Sequence, residues 1–310
     1  MKLYFDDSTK NHNNLELTMV NADDYWERFY NPRIAVPDFQ NYIDRWYDSS
    51  LKFKKNLGKS IEIEMDVPYG DSIVETMDIF KPKKSVGSIK ALMLFIHGGY
   101  WRSKDLTKKE HGFVAKPFVE KGFAVAVLDY ALCPEVSLPE ICKQIVKAGE
   151  CLYRDAREVG VSKKNLYVVG HSAGAHLAAM SLVCIWKQLN KKLPKRIFKS
   201  ALGLSGIYDL RPLINVQSVN SDLKLDKNLA SLVSPALITP PKTAGLTISV
   251  GGQETEGFKE QHSIIAEKWQ GSILNDIPSP EDNHFSILDS FVDPSSDLHN
   301  YWINILNGNH

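Results

Sequence analysis

From about residue 60 onward, short runs rich in Val, Ile, Leu and Ala alternate with longer stretches in which apolar side chains recur at helical spacing. The short runs are Ser60 to Met65, Thr76 to Phe80, Ala91 to Ile96, Ala124 to Leu128, Asn165 to Val169, Ala201 to Leu204 and Leu246 to Val250, and they predict strands. Several are almost uninterrupted apolar sequence, as expected of strands covered on both faces. The longer stretches, Lys108 to Lys121, Leu138 to Val159, Ala173 to Lys191, Phe258 to Trp269 and Asp297 to Leu306, predict helices, with Gly122 and Gly160 where two of them should stop. Strand followed by helix, repeated, is the order of an α/β fold with a mostly parallel central sheet and helices on both faces. Gly70 and Asp71 mark a turn between the first two runs, predicting an antiparallel hairpin ahead of the parallel part.

Two regions depart from this alternation. Residues 1 to 58 carry many aromatic and charged side chains, among them Tyr25, Trp26, Phe29, Tyr30, Trp46 and Tyr47, without strand periodicity. They read as a helical N-terminal segment, broken by Asn31, Pro32 and Pro37, that either packs on the sheet or caps a site. Residues 59 to 310 then form the main domain, in one structural domain overall. The stretch from Ile207 to Pro241 is longer than ordinary connections between strands, which suits a cap or substrate-binding insertion.

Composition narrows the function classes. With 37 Lys plus Arg against 37 Asp plus Glu, the net charge is zero, and nothing favours a nucleic acid as partner. No apolar run approaches the ~20 residues of a membrane-spanning helix. Met1 to Asp7 lacks the apolar core of a secretory signal, so a cytoplasmic location is expected. Cys133, Cys142, Cys151 and Cys184 form no CxxC pair and suit reduced thiols. His171 and His176 lie five apart on different helical faces and no HExxH occurs, so neither metal nor other cofactor is expected.

The chemistry concentrates in two glycine-rich turns. Strand Asn165 to Val169 runs into Gly170-His171-Ser172-Ala173-Gly174 and then into helix, giving G-x-S-x-G in a strand-turn-helix context. Such a turn lifts the serine hydroxyl above the carboxyl edge of the sheet, and the small residues let strand and helix approach. Strand Ala91 to Ile96 ends in His97-Gly98-Gly99-Tyr100-Trp101, where α/β-hydrolases of the esterase and lipase type place an oxyanion donor. Amides of Gly98 or Gly99, together with Ala173, would stabilise charge developing on a carbonyl oxygen, at ~3 kcal/mol per donor. With Ser172 as nucleophile, the α/β-hydrolase order puts the acid next and the base last. His284 in a loop near the C-terminus fits the base. For the acid, Glu254 after the strand Leu246 to Val250 is the first candidate, with Glu256 and Asp209 as alternatives. Tyr100 and Trp101 either line an aryl pocket or belong to the core.

These motifs, with Asn31-Pro32-Arg33, Gly252-Gln253-Glu254-Thr255 and Asn283-His284-Phe285, resemble the kynurenine formamidase (arylformamidase) branch of the α/β-hydrolases, marked by HGGxW rather than HGGG. The likeness spans about residues 25 to 290. It implies that residues 59 to 310 are the catalytic domain and that Ser172, His284 and Glu254 act as a triad, Glu254 standing where the family usually has aspartate. It further implies metal-free hydrolysis of a small aryl formamide, N-formylkynurenine to kynurenine and formate. Separately, the expected partner is a small-molecule ester or amide, with a homodimer as a candidate assembly. A short-chain carboxylesterase is the alternative activity, and a catalytically silent binding scaffold the alternative of another class.

Overall fold

The computed structural model describes residues 22–83, 88–243 and 245–309. Expectations for residues 1–21, including the absence of a secretory signal, fall outside the described residues. Eight strands build one sheet: β1 (Ile61–Pro68), β2 (Thr76–Pro82), β3 (Leu92–Ile96), β4 (Ala124–Leu128), β5 (Leu166–His171), β6 (Ala201–Leu204), β7 (Leu246–Ser249) and β8 (Ile273–Asp276). Their spatial order is β1-β2-β4-β3-β5-β6-β7-β8. The β1–β2 hairpin and the β2–β4 pair are antiparallel, and every other pairing is parallel. This is the α/β-hydrolase arrangement that the alternation predicts.

Register explains where a site can form. Ile96 pairs with Gly170 and Gly170 with Gly203, so β3, β5 and β6 end at one level at the centre of the sheet. Loops leaving these carboxyl ends share one crevice. Side chains within each strand divide by the period of two: Leu92, Leu94 and Ile96 enter one apolar cluster, Met93 and Phe95 the other. Both faces are therefore covered, which is why these strands read as unbroken apolar runs.

Several helices differ from expectation. Leu138–Val159 forms one 22-residue helix closed by Gly160 at φ +98, in the left-handed conformation that glycine adopts without strain. Lys108 to Lys121 is not one helix but two short ones, Lys108–His111 and Lys116–Glu120, around a 3₁₀ turn at Gly112–Ala115. Pro117, which lacks an amide donor, sits at the start of the last piece. The stretch from Ala173 stops at Val183 and resumes over Trp186–Leu189. Strand β8 escaped the pattern because it is an exposed edge strand with Asn275 and Asp276 at its end, so it has no apolar face to announce it. In the N-terminal segment, helices Ala22–Tyr30, Pro32–Ala35 and Phe39–Lys55 bury Tyr30 and Trp46 completely. Lys54 of the third helix reaches the buried Asp78 carboxylate at 2.7 Å, tying the segment to β2.

Burial also determines the ionisation of the interior. His97, His111 and His176 are enclosed, and burial lowers each from the usual 6.5 to about 4. An unfolded chain would take up protons at these rings below pH 6.5, whereas the folded chain resists down to about 4. Their stabilisation is therefore complete above 6.5 and is lost as the pH falls, by roughly 3 kcal/mol per ring. Burial of Asp129 acts in the opposite sense, raising its carboxyl from 3.8 to about 6 and favouring the folded state as pH falls through that range. His171 and His299 are lowered by burial as well, and Asp289 is raised like Asp129; the five rings outweigh the two carboxyls and predict a melting temperature that drops between pH 6.5 and 4, with a shallower slope in His176→Gln. A flat or rising melting curve across that range, followed by calorimetry, would contradict this balance.

Candidate active site

Strand β5 ends at His171, and the helix Ala173–Val183 begins two residues later, leaving Ser172 alone in the turn at φ +56 and ψ −120. A non-glycine residue there is strained, and the surroundings hold it: Ser172 N–H donates to Leu204 O at 2.8 Å, and Ala175 N–H to Ser172 O at 2.9 Å. The flanking glycines are obligatory. A Cβ on Gly170 would lie 2.0 Å from Gly174 O, and one on Gly174 would lie 2.0 Å from Ile96 O.

Beside this turn runs the loop after β3. The His97 ring donates from Nδ1 to Gly98 O at 2.8 Å and stacks on Tyr130 at 4.4 Å, while the Tyr130 hydroxyl donates to His97 O at 3.0 Å. These contacts clamp the peptide so that Gly98 presses on the nucleophile turn, where an added Cβ would meet Ser172 Cβ at 2.9 Å. Gly99 follows at φ +106, which a side chain would oppose. Among the described residues, the amides of Gly98, Gly99 and Ala173 donate to no protein acceptor. Tyr100 and Trp101 continue at positive φ and then separate in role. Tyr100 reaches the cavity wall, its hydroxyl bonded to Tyr30 O. Trp101 corrects an expectation: it is fully buried in the core, edge-on to His176 at 4.9 Å, and lines no part of the cavity.

His284 and Glu254 meet across two loops. Asn283 Oδ1 accepts from the amides of Phe285 and Ser286, at 2.8 and 2.9 Å, so the loop before the helix Ile287–Val292 is pinned locally. Gly251 and Gly252 let the Glu254 loop lie directly on it, since a Cβ at either would come within 2.3 Å of Asp282 O or Pro280 O. His284 Nδ1 then stands 2.9 Å from Glu254 Oε1, with both side chains buried. The alternative acids lie elsewhere: Glu256 is exposed and pairs with Lys259 at 3.0 Å, and Asp209 is held by Arg211 at 2.6 Å. No hydrogen bond joins Ser172 to His284, although both line one cavity. Contacts of this kind commonly tighten only around substrate.

Sequence reasoning gave His171 no role, because the position before the serine in G-x-S-x-G accepts any residue. Its ring is buried and donates from Nε2 to His284 O at 2.7 Å, linking the Ser172 turn to the His284 loop. Burial, and then the neighbouring His284, hold it well below the ordinary histidine range, so it stays neutral. The cavity itself encloses about 120 Å³. Trp46 and Phe285 supply apolar wall, and Arg33 and Arg102 add charge. Arg33 carries a signal in the Asn31-Pro32-Arg33 motif; Arg102 carries none.

The chain matches the BD-FAE family model over residues 77–244. It is 31% identical over 274 residues to the kynurenine formamidase of Danio rerio, covering 85% of this chain and 88% of that protein. The kynurenine formamidase of Drosophila melanogaster is 30% identical, covering 74% of this chain and 78% of that protein. A solved structure from Silicibacter sp. tm1040, described as a candidate thioesterase, superposes with a TM-score of 0.75 at 30% identity, covering 87% and 95% of the two chains. A strand-to-helix serine turn, a glycine loop at the same sheet edge and likeness over most of the chain converge: this protein belongs to the kynurenine formamidase family of α/β-hydrolases, serine-hydrolase-type enzymes that cleave esters or formamides.

Proposed function

We propose that this hydrolase deformylates a small aryl formamide, N-formylkynurenine, with Ser172 as nucleophile, His284 as base and Glu254 as the orienting acid. The observation that carries the reading is the buried 2.9 Å Glu254–His284 pair, whose histidine lines the same cavity as Ser172. His284 takes the Ser172 proton as the oxygen attacks the formyl carbon. Amides of Gly98, Gly99 and Ala173 receive the resulting oxyanion. His284 then protonates the departing arylamine as the C–N bond breaks, leaving a formyl ester on Ser172. Water, deprotonated by the same imidazole, releases formate and restores the serine. Glu254 holds the imidazole with Nδ1 protonated and offsets the positive charge that forms on it.

The size of the cavity supports a short acyl group. At about 120 Å³ it is comparable to the ~150 Å³ engineered cavity that holds one benzene ring. In this reading residues 59–310 carry the chemistry, helices from 1–58 complete the cavity through Arg33 and Trp46, and the enzyme works in the cytoplasm on a small molecule. The small cavity suits a short-chain carboxylesterase equally well, and substrate preference separates the two.

Steady-state rates on N-formyl-L-kynurenine and p-nitrophenyl butyrate test the assignment. Deformylation with kcat/KM of ~10⁴ M⁻¹s⁻¹ or more, lost by at least ~10³-fold in Ser172→Ala with unchanged circular dichroism, is the expected result. Negligible deformylation beside rapid, serine-dependent ester cleavage would instead identify a carboxylesterase. For the acid, Glu254→Gln should lower kcat roughly 10²-fold or more while Glu256→Gln stays within about twofold. Comparable losses in both variants, or none in Glu254→Gln, would remove Glu254 from the triad.

A further inference from the structure

Most of the cavity wall is neutral. Where it is charged, both contributors are arginines: Arg33 from the short helix Pro32–Ala35 and Arg102 from the loop after the Gly98-Gly99 turn. No lysine, aspartate or glutamate among the described residues lines it with them. In a chain of zero net charge this is a local asymmetry, not a consequence of composition.

Each guanidinium is held from behind by a carboxylate outside the cavity wall. Arg33 Nη2 contacts both oxygens of Asp105, at 3.1 and 2.8 Å, and its Cζ lies 4.8 Å above the Phe39 ring. Arg102 is held through Nε by Asp222. That contact leaves the two terminal nitrogens of Arg102 without an acceptor among the described residues. A guanidinium anchored at one edge, with its terminal donors free, presents the fork that pairs with a carboxylate through two parallel hydrogen bonds. The anchoring carboxylates restrict the rotamers beforehand, so less freedom is lost when a ligand binds. Arg33 and Arg102 are each about a third exposed, at 36% of their side-chain surface, which puts them at the mouth. Ser172 and His284, by contrast, are almost wholly buried.

We infer that Arg102, assisted by Arg33, is a carboxylate-binding element at the cavity mouth, selecting substrates whose scissile group is joined through a small aromatic body to a carboxylate. The inference rests on the proposed cleavage at Ser172 and deepens it. An uncharged alkyl ester would bring no carboxylate to the terminal nitrogens of Arg102. An aryl formamide bearing an α-amino-acid arm would put its ring against Trp46 and Phe285 and its carboxylate at the arginines.

The test compares two inhibitors of p-nitrophenyl acetate hydrolysis: L-kynurenine, and 2-aminoacetophenone, the same aryl ketone without the amino-acid arm. Wild type should bind L-kynurenine roughly 10-fold or more tightly, and in Arg102→Leu the two inhibition constants should come within about threefold of each other. Arg102→Lys, which keeps the charge but not the fork, should fall between. Because the quantity read is a ratio within each variant, changes in esterase rate cancel. Equal inhibition constants in wild type, or a ratio unaltered by both Arg102→Leu and Arg33→Leu, would overturn the assignment. Deformylation of N-formyl-L-kynurenine and formanilide is measured in parallel. An Arg102-dependent ratio without cleavage of either formamide supports the carboxylate site and refutes the deformylase reading. Cleavage of both at equal kcat/KM does the reverse.

Discussion

Backbone touching backbone at the end of β5 is the constraint on which the catalytic architecture depends. Gly170 lies against Gly174, and Gly174 against the carbonyl of Ile96, with no room for a single carbon at either place. This contact sets the helix Ala173–Val183 directly beneath the ends of β3 and β5 and forces Ser172 into the left-handed region. Strain of ~1–3 kcal/mol at such a residue persists only where neighbours over-determine it. Here the Leu204 carbonyl and the first helical turn do so. Closeness also couples the two halves of the candidate site, because Gly98 packs on Ser172 and fixes the relation of the serine turn to the glycine loop.

A second principle separates His284 from the other buried histidines. His97, His111, His171, His176 and His299 each make a ring hydrogen bond to a backbone carbonyl. A carbonyl fixes one tautomer and satisfies one nitrogen but contributes no full charge, and burial holds these rings neutral. Of these, His97 also has the Asp129 carboxylate 3.7 Å from Nε2, beyond hydrogen-bond range, whereas His284 has a buried carboxylate at 2.9 Å, which can both orient the ring and offset an imidazolium. A histidine partnered by a carboxylate thus differs physically from those partnered by carbonyls. His171 joins the two kinds: it is structural by its own chemistry, yet its hydrogen bond bears on the loop that carries the base.

The N-terminal helices are part of the same design. Trp46 is buried and also reaches the cavity, and Arg33 comes to the mouth from a helix whose first turn is capped by Asn31. Packing and capping, posed as alternatives by the sequence, are one arrangement. Aromatic side chains supply the area that holds the segment to the domain, and the same surface walls the cavity.

Local physics made most of the fold legible from the sequence. Both-face burial leaves unbroken apolar runs, amphipathic helices leave a 3.6-residue rhythm, and a turn with no space for Cβ demands glycine whatever surrounds it. Those three signals located seven strands, the long helices, the Ser172 turn and the Gly98-Gly99 loop, while His284 followed from the expected chain order of a triad. They failed where nothing local distinguishes the alternatives: β8 is an edge strand without an apolar face, and Trp101 and Trp46 are equally aromatic and both buried, though only Trp46 also lines the cavity. Three carboxylates were open as partner of His284, because the sheet order and the contact between loops 251–254 and 280–284 decide which one reaches the ring. Arg102 and Arg33, separated by 69 positions, meet at one cavity for the same reason. Distances between residues far apart in the chain are set by how the helices and loops close over the sheet, and no pattern along the chain encodes them separately.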